Sequence, residues 1–135
     1  MKLSKKSEYA CLALIDLSEN YNKGLVKIGD ISKRKKIPRK YLEQILLLLK
    51  GAGYLRSRRG ADGGYKLSKP SGSISVAEIV RLMDGALAPV ESVSTYFYEH
   101  TPIESNKKLM VLFKDIRDYA VNKLETTTFA DLIEQ

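Results

Sequence analysis

Two helical patterns meet at Ile37-Pro38, and the restart there narrows sharply what the chain can become. Proline lacks an N–H and clashes inside a helix, yet its fixed φ suits a first turn. The upstream piece, Ile28 to Lys35, has Ile28 and Ile31 as its apolar positions. Lys33, Arg34, Lys35 and Lys36 crowd its end, where cations complement the helix dipole. The downstream piece is read from Pro38 to Lys50, closing at Gly51. Leu42, Ile45, Leu46 and Leu49 fall at i, i+3, i+4 and i+7, forming one stripe to be buried. Lys40, Glu43, Gln44 and Leu47 are left opposite, with Tyr41 and Leu48 at one margin. Two helices joined by a tight break, the second polar on its outer face, make a helix-turn-helix pattern.

The flanking segments extend this pattern. Ser4 is the expected N-cap of a first helix reaching about Tyr21 and stopped by Gly24. After the second helix, residues 53–59 and 65–68 flank Gly60-Ala61-Asp62-Gly63-Gly64, which reads as a hairpin. A hairpin in that position is the wing of a winged helix. A phosphate-cradling loop is rejected, because Gly51-Ala52-Gly53 has no third glycine and no Gly-Lys-Ser/Thr ending. Ser75-Val76-Ala77-Glu78 is a capping box, with Ile74 and Ile79 placed for a hydrophobic staple, and its helix is expected to end near Asp84-Gly85. An irregular stretch follows from Ala86 to about Ile103, holding Tyr96-Phe97-Tyr98. Loops of such length in compact domains serve function or stay mobile.

From Glu104 to about Leu124 the helical period returns. Leu109, Leu112, Phe113, Ile116, Tyr119, Ala120 and Leu124 share one face. Such a helix spans roughly 30 Å, more than a small domain covers, so a two-fold partner is expected along it. Thr128 and Asp131 then cap a short helix with Phe129, Leu132 and Ile133. The expected class is mainly α with a small β-hairpin wing. It divides into a winged helix-turn-helix DNA-binding domain over 1–84, a loop at an effector or sensor position over 85–103, and a dimerisation helix with a short C-terminal helix over 104–135.

Charge points to the partner. Residues 1–70 hold 17 Lys and Arg against 6 Asp and Glu, whereas residues 71–135 hold 6 against 10. A half so positive concentrates polyanions and releases their counterions. Arg39, Lys40, Tyr41 and Gln44 are the candidates for the major groove and its flanking phosphates. Gln44 is suited to the bidentate reading of adenine. Glu43 would accept from cytosine or repel wrong sequences. Arg59 and Gly60, at the wing tip, are candidates for the minor groove, with Arg56 or Arg58 on phosphate. Lys5, Lys6, Lys33, Lys35 and Lys36 are further phosphate candidates, and Leu47 is expected to meet the wing.

Other classes are disfavoured. No run nears the roughly 18 apolar residues of a membrane span, and the N-terminal residues lack an apolar signal core, so a cytoplasmic protein without membrane contact is expected. One cysteine, Cys11, and one histidine, His100, supply neither a disulfide nor a structural zinc set. Paired carboxylates in an apolar setting and a nucleophile with a base are both lacking, so no enzyme is expected.

Over almost its whole length the chain resembles the Rrf-two family of bacterial transcription regulators. The resemblance rests on residues 1–10, Asp30-Ile31-Ser32, Ile37 with Tyr41-Leu42-Glu43-Gln44, the wing from Arg59 to Tyr65, and residues 126–132. It implies a dimeric winged-helix binder of double-stranded DNA, with long helices crossing at the interface. Two-fold symmetry predicts a palindromic operator, and repression is the expected mode. Many relatives hold an iron-sulfur cluster on three cysteines before the long helix. Here Ser92, Tyr98 and Glu104 stand about where thiolates are expected, so no cofactor is expected. Glu8, Cys11 and His100 read as a first-turn acid, a small buried hydrophobe and a loop residue. A small-molecule effector or a protein partner is left as the user of 86–103. In one branch without cluster cysteines the partner is a cysteine-synthase-like enzyme. The remaining alternative is a winged-helix protein-interaction module.

Overall fold

The computed structural model describes residues 2–85, 87 and 102–133. Helix α1 (Lys5–Glu19) opens at Ser4, whose hydroxyl accepts from the Ser7 N–H at 3.1 Å. It stops two residues earlier than expected because Asn20 folds back, its side-chain amide donating to the Asp16 carbonyl at 2.8 Å. Gly24, with φ of 81°, closes a short 3-10 turn at Tyr21–Lys23 instead of α1 itself. Helices α2 (Ile28–Lys35) and α3 (Arg39–Gly51) follow, separated by Lys36 in the left-handed region and Pro38 as the N-cap of α3. The antiparallel hairpin of β1 (Leu55–Arg58) and β2 (Gly64–Leu67) then pairs Leu55 with Leu67 and Arg58 with Gly64.

Helix α4 (Val76–Asp84) carries the capping box in full. Ser75 Oγ accepts from the Glu78 N–H at 3.2 Å, and Glu78 Oε2 accepts from the Ser75 N–H at 2.8 Å. Ile74 and Ile79 are both buried. Helix α5 (Lys107–Thr126) starts three residues later than expected. Asn106 takes the cap, accepting from the Leu109 N–H at 2.9 Å, and Pro102–Ser105 forms a separate 3-10 turn. The short helix after it is a 3-10 turn, Ala130–Leu132, held by the reciprocal Thr128 and Asp131 hydrogen bonds.

The expected stripe of α3 is buried as read: Leu42, Ile45, Leu46 and Leu49 join Ala10, Ala13, Leu14 and Leu17 of α1 and Ile79 and Val80 of α4 in one core. The end of the chain enters that same core. Phe129 is fully buried, worth about 1.5–3 kcal/mol for such a side chain. Residues 127–129 pair with the entry to α4, Val76 N–H donating to Thr127 O at 2.9 Å and Phe129 N–H to Ile74 O at 3.1 Å. Arg81 of α4 meets Glu125 of α5 at 2.6 Å. No residue of α5 is fully buried, and Val111, Leu112, Ile116 and Tyr119 stand exposed.

Candidate nucleic-acid interface

The amphipathic period of α3 fixes what it presents. With its apolar stripe in the core, the line diametrically outward carries Lys40, Gln44 and Leu47, all exposed. Tyr41 and Leu48 lean toward α1, where the Tyr41 ring meets that of Tyr9 at 6.3 Å between centroids. These residues, with Lys5, Lys6 and Gln44, line a groove of about 630 Å³. Arg39 and Lys50 lean the other way, toward the wing. Glu43 lies 3.9 Å from Arg39, an exposed i, i+4 pair worth a fraction of a kcal/mol.

The wing is held by backbone contacts that a sequence motif only partly announces. Tyr65 and Val26 exchange two backbone hydrogen bonds at 2.8 Å, adding a third partner to the hairpin. A Cβ on Gly64 would lie 2.6 Å from the Val26 carbonyl oxygen, and one on Gly63 would lie 2.2 Å from that of Arg58. Glycine is therefore required twice in succession, by close approach of backbone to backbone. Lys27 Nζ donates to the Ala61 carbonyl at 2.5 Å and ties the wing tip to the start of α2.

This places Arg39, Lys50, Arg58, Arg59, Gly60 and Lys27 around one concavity between α3 and the wing. Arg56 is separated from it, lining the other flank of the hairpin with Arg58 and Lys66. In the strand register Arg56 faces Lys66 directly, a like-charge pairing that destabilises a hairpin in the absence of an anion. Leu47 borders this concavity beside the wing, yet stays 69% exposed. Lys35 is engaged by Glu19 at 2.7 Å and stitches α2 to α1, beside Arg34, which grips the fully buried Asp16 at 2.9 Å. Those two cations serve the helix pair. Lys27 and Lys50 were missed, because a tether to the wing and a place beside Arg39 depend on how distant elements meet.

A family profile described as iron-dependent transcriptional regulator, Rrf2, matches residues 3–135. The chain belongs to the Rrf2 family. The HTH-type transcriptional regulator CymR of Bacillus subtilis is 31% identical over 132 residues, 98% of this chain and 89% of that one. A solved structure of CymR, titled the global cysteine regulator of B. subtilis, superposes with a TM-score of 0.79 at 30% identity, covering 98% of this chain and 95% of that one. The oxidized form of Staphylococcus aureus CymR gives 0.76 at 32% identity, covering 100% and 98%. As an Rrf2 protein with a helix-turn-helix and a two-stranded wing, the chain is a DNA-binding regulator of transcription, and its relatives carry regulatory rather than enzymatic names. No helix among the described residues is long and apolar enough to cross a membrane.

The donor chemistry of this Rrf2 chain does not fit a thiolate-held iron cluster. Its single cysteine, Cys11, packs against the core, where burial and then the Asp84 carboxylate push the thiol up to about 11. At neutral pH it is a protonated thiol, a poor ligand. Glu8 lies 3.3 Å from Lys5 in an exposed pair. Among the described residues no three His, Cys, Asp or Glu side chains converge as a metal site requires. The expected effector loop, with Ser92, the Tyr96-Phe97-Tyr98 cluster and His100, lies outside the described residues apart from Gly85, Leu87, Pro102 and Ile103.

Proposed function

We propose that the protein is a repressor acting as a homodimer on a palindromic operator without an iron-sulfur cluster. Helix α3 enters the major groove, where Lys40 and Gln44 meet base edges and Arg39 and Tyr41 reach flanking phosphates. Arg59 and Gly60 approach the minor groove, while Arg58 and Arg56 meet phosphates on either flank of the wing. Residues 1–84 supply this reading head, 85–103 the signal position and 104–135 the coupling between copies. A dimer seated on a duplex excludes other proteins by its volume, which gives repression. The observation that carries the reading is the shared concavity: Arg39 from α3 and Arg58, Arg59 and Gly60 from the wing converge on it. A groove flanked by Lys5 and Lys6 lies on the other side of the same helix.

The test is binding to a site enriched from random duplex DNA, measured across a salt series. Arg59→Ala is expected to weaken binding and to reduce the slope of log affinity against log salt by about 1. Gln44→Ala is expected to erode preference for the site by about 1–3 kcal/mol and leave that slope unchanged. If both variants behave like the parent, the reading surface is misassigned. A second reading, a protein-interaction module, draws on the exposed Tyr41, Leu47 and Leu48; it requires DNA affinity to be nearly independent of salt. The likeness to a cysteine regulator favours a metabolic-enzyme partner, or a small metabolite, as the signal at 86–103.

A further inference from the structure

Leu47 occupies the place on α3 where a polar residue would be expected. At 69% exposure it is the most open leucine among the described residues, more so than Leu112 at 52% or Leu48 at 41%. It stands on the same outward line as Lys40 and Gln44, and it borders both grooves that flank α3. Leu48 differs, since it leans with Tyr41 toward α1 and borders only that side. A leucine on the crest of a reading helix can neither donate nor accept a hydrogen bond. The base edges in the major groove offer such a side chain one apolar group, the 5-methyl of thymine. Gln44 precedes Leu47 by three residues, roughly 4.5 Å of helix rise. That compares with about 3.4 Å between successive bases of a strand. The two side chains therefore address base pairs one or two steps apart.

From this placement we infer that Leu47 is a specificity-determining residue, packing on the methyl group of a thymine within two base pairs of the adenine read by Gln44. The inference rests on the proposed insertion of α3 into the major groove. It adds to that reading a base and an atom group that a glutamine alone does not select.

Uracil differs from thymine only by the absent methyl, which makes the test direct. The full chain selects its site from random duplexes, each thymine of that site is replaced singly by uracil, and affinities are measured by fluorescence anisotropy. One replacement per half-site is expected to weaken the parent about fourfold, the effect of uncovering one methyl group. Leu47→Ala, exposed enough to leave the fold intact, is expected to bind the thymine and uracil duplexes alike, whereas Gln44→Ala keeps the difference. Tolerance of uracil at every position overturns the assignment. So does a Leu47→Ala variant as sensitive as the parent. Failure to enrich any sequence overturns the parent reading together with it.

Discussion

Asp16 has no exposure to solvent, and its carboxylate is held by Arg34 Nε, which approaches both oxygens, at 2.9 and 3.2 Å, and by the Asn20 amide at 2.9 Å. Removing the partner of a buried charge costs more than the pair contributes, since the orphan has neither water nor counter-charge. Arg34→Met is therefore expected to lower stability by about 2 kcal/mol or more, read as a shift in the urea midpoint at unchanged slope. Two other carboxylates respond to acid. Burial works to raise Glu78, but the Ser75 backbone N–H, the Tyr54 and Ser75 hydroxyls and Lys69 override it and hold it below its usual range. Burial likewise works to raise Asp84, and the Ser4 hydroxyl and N–H, the Ser7 hydroxyl and Lys6 bring it down. A lowered folded pKa stabilises above the unfolded value, near 4, and that contribution is lost as pH falls through the folded value. The thermal midpoint is thus expected to be flat above about pH 5 and to fall below about pH 4.5, with Glu78→Gln plus Asp84→Asn flattening the acid limb.

Among the elements, the wing depends most on particular residues. Gly64→Ala sets a Cβ against the Val26 carbonyl and removes a backbone conformation, φ +148°, that side chains rarely adopt. It is expected to cost more than about 1 kcal/mol and to loosen the hairpin from Val26, ahead of α2. Hydrogen exchange at the Val26 and Tyr65 amides would report this; unchanged protection there would contradict it. The sequence disclosed the capping box of α4, the buried stripe of α3 and the hairpin, because each is written in short-range spacing that local physics obeys. It placed the start of α5 three residues early, since the apolar period extends past the residue able to cap, Asn106. It did not disclose that Glu19 engages Lys35, because that depends on the distance between elements that no window of residues contains. Among the candidate DNA contacts, Arg39, Arg58, Arg59 and Gly60 converge, whereas Arg56 lines only the other flank of the hairpin, with Lys66.

For the whole molecule, the exposed Val111, Leu112, Ile116 and Tyr119 along a helix roughly 30 Å long leave an apolar face that two-fold pairing would cover. Ile116→Asp with Tyr119→Asp is expected to shift the solution mass to single chains and to weaken operator binding at least tenfold, while far-ultraviolet circular dichroism stays as in the parent. A doubly substituted protein that keeps the parent mass would place the coupling elsewhere. The periodicity of α5 announced such a face, yet nothing local told that the residues after it return to the entry of α4, since that pairing joins positions some fifty apart. Phe129 fills the centre of the winged-helix core, and Thr127 and Thr128 lie beside the entry to α4. A nascent chain still attached to the ribosome with only its basic half emerged lacks this plug. The winged-helix core therefore closes last, once synthesis has passed residue 129.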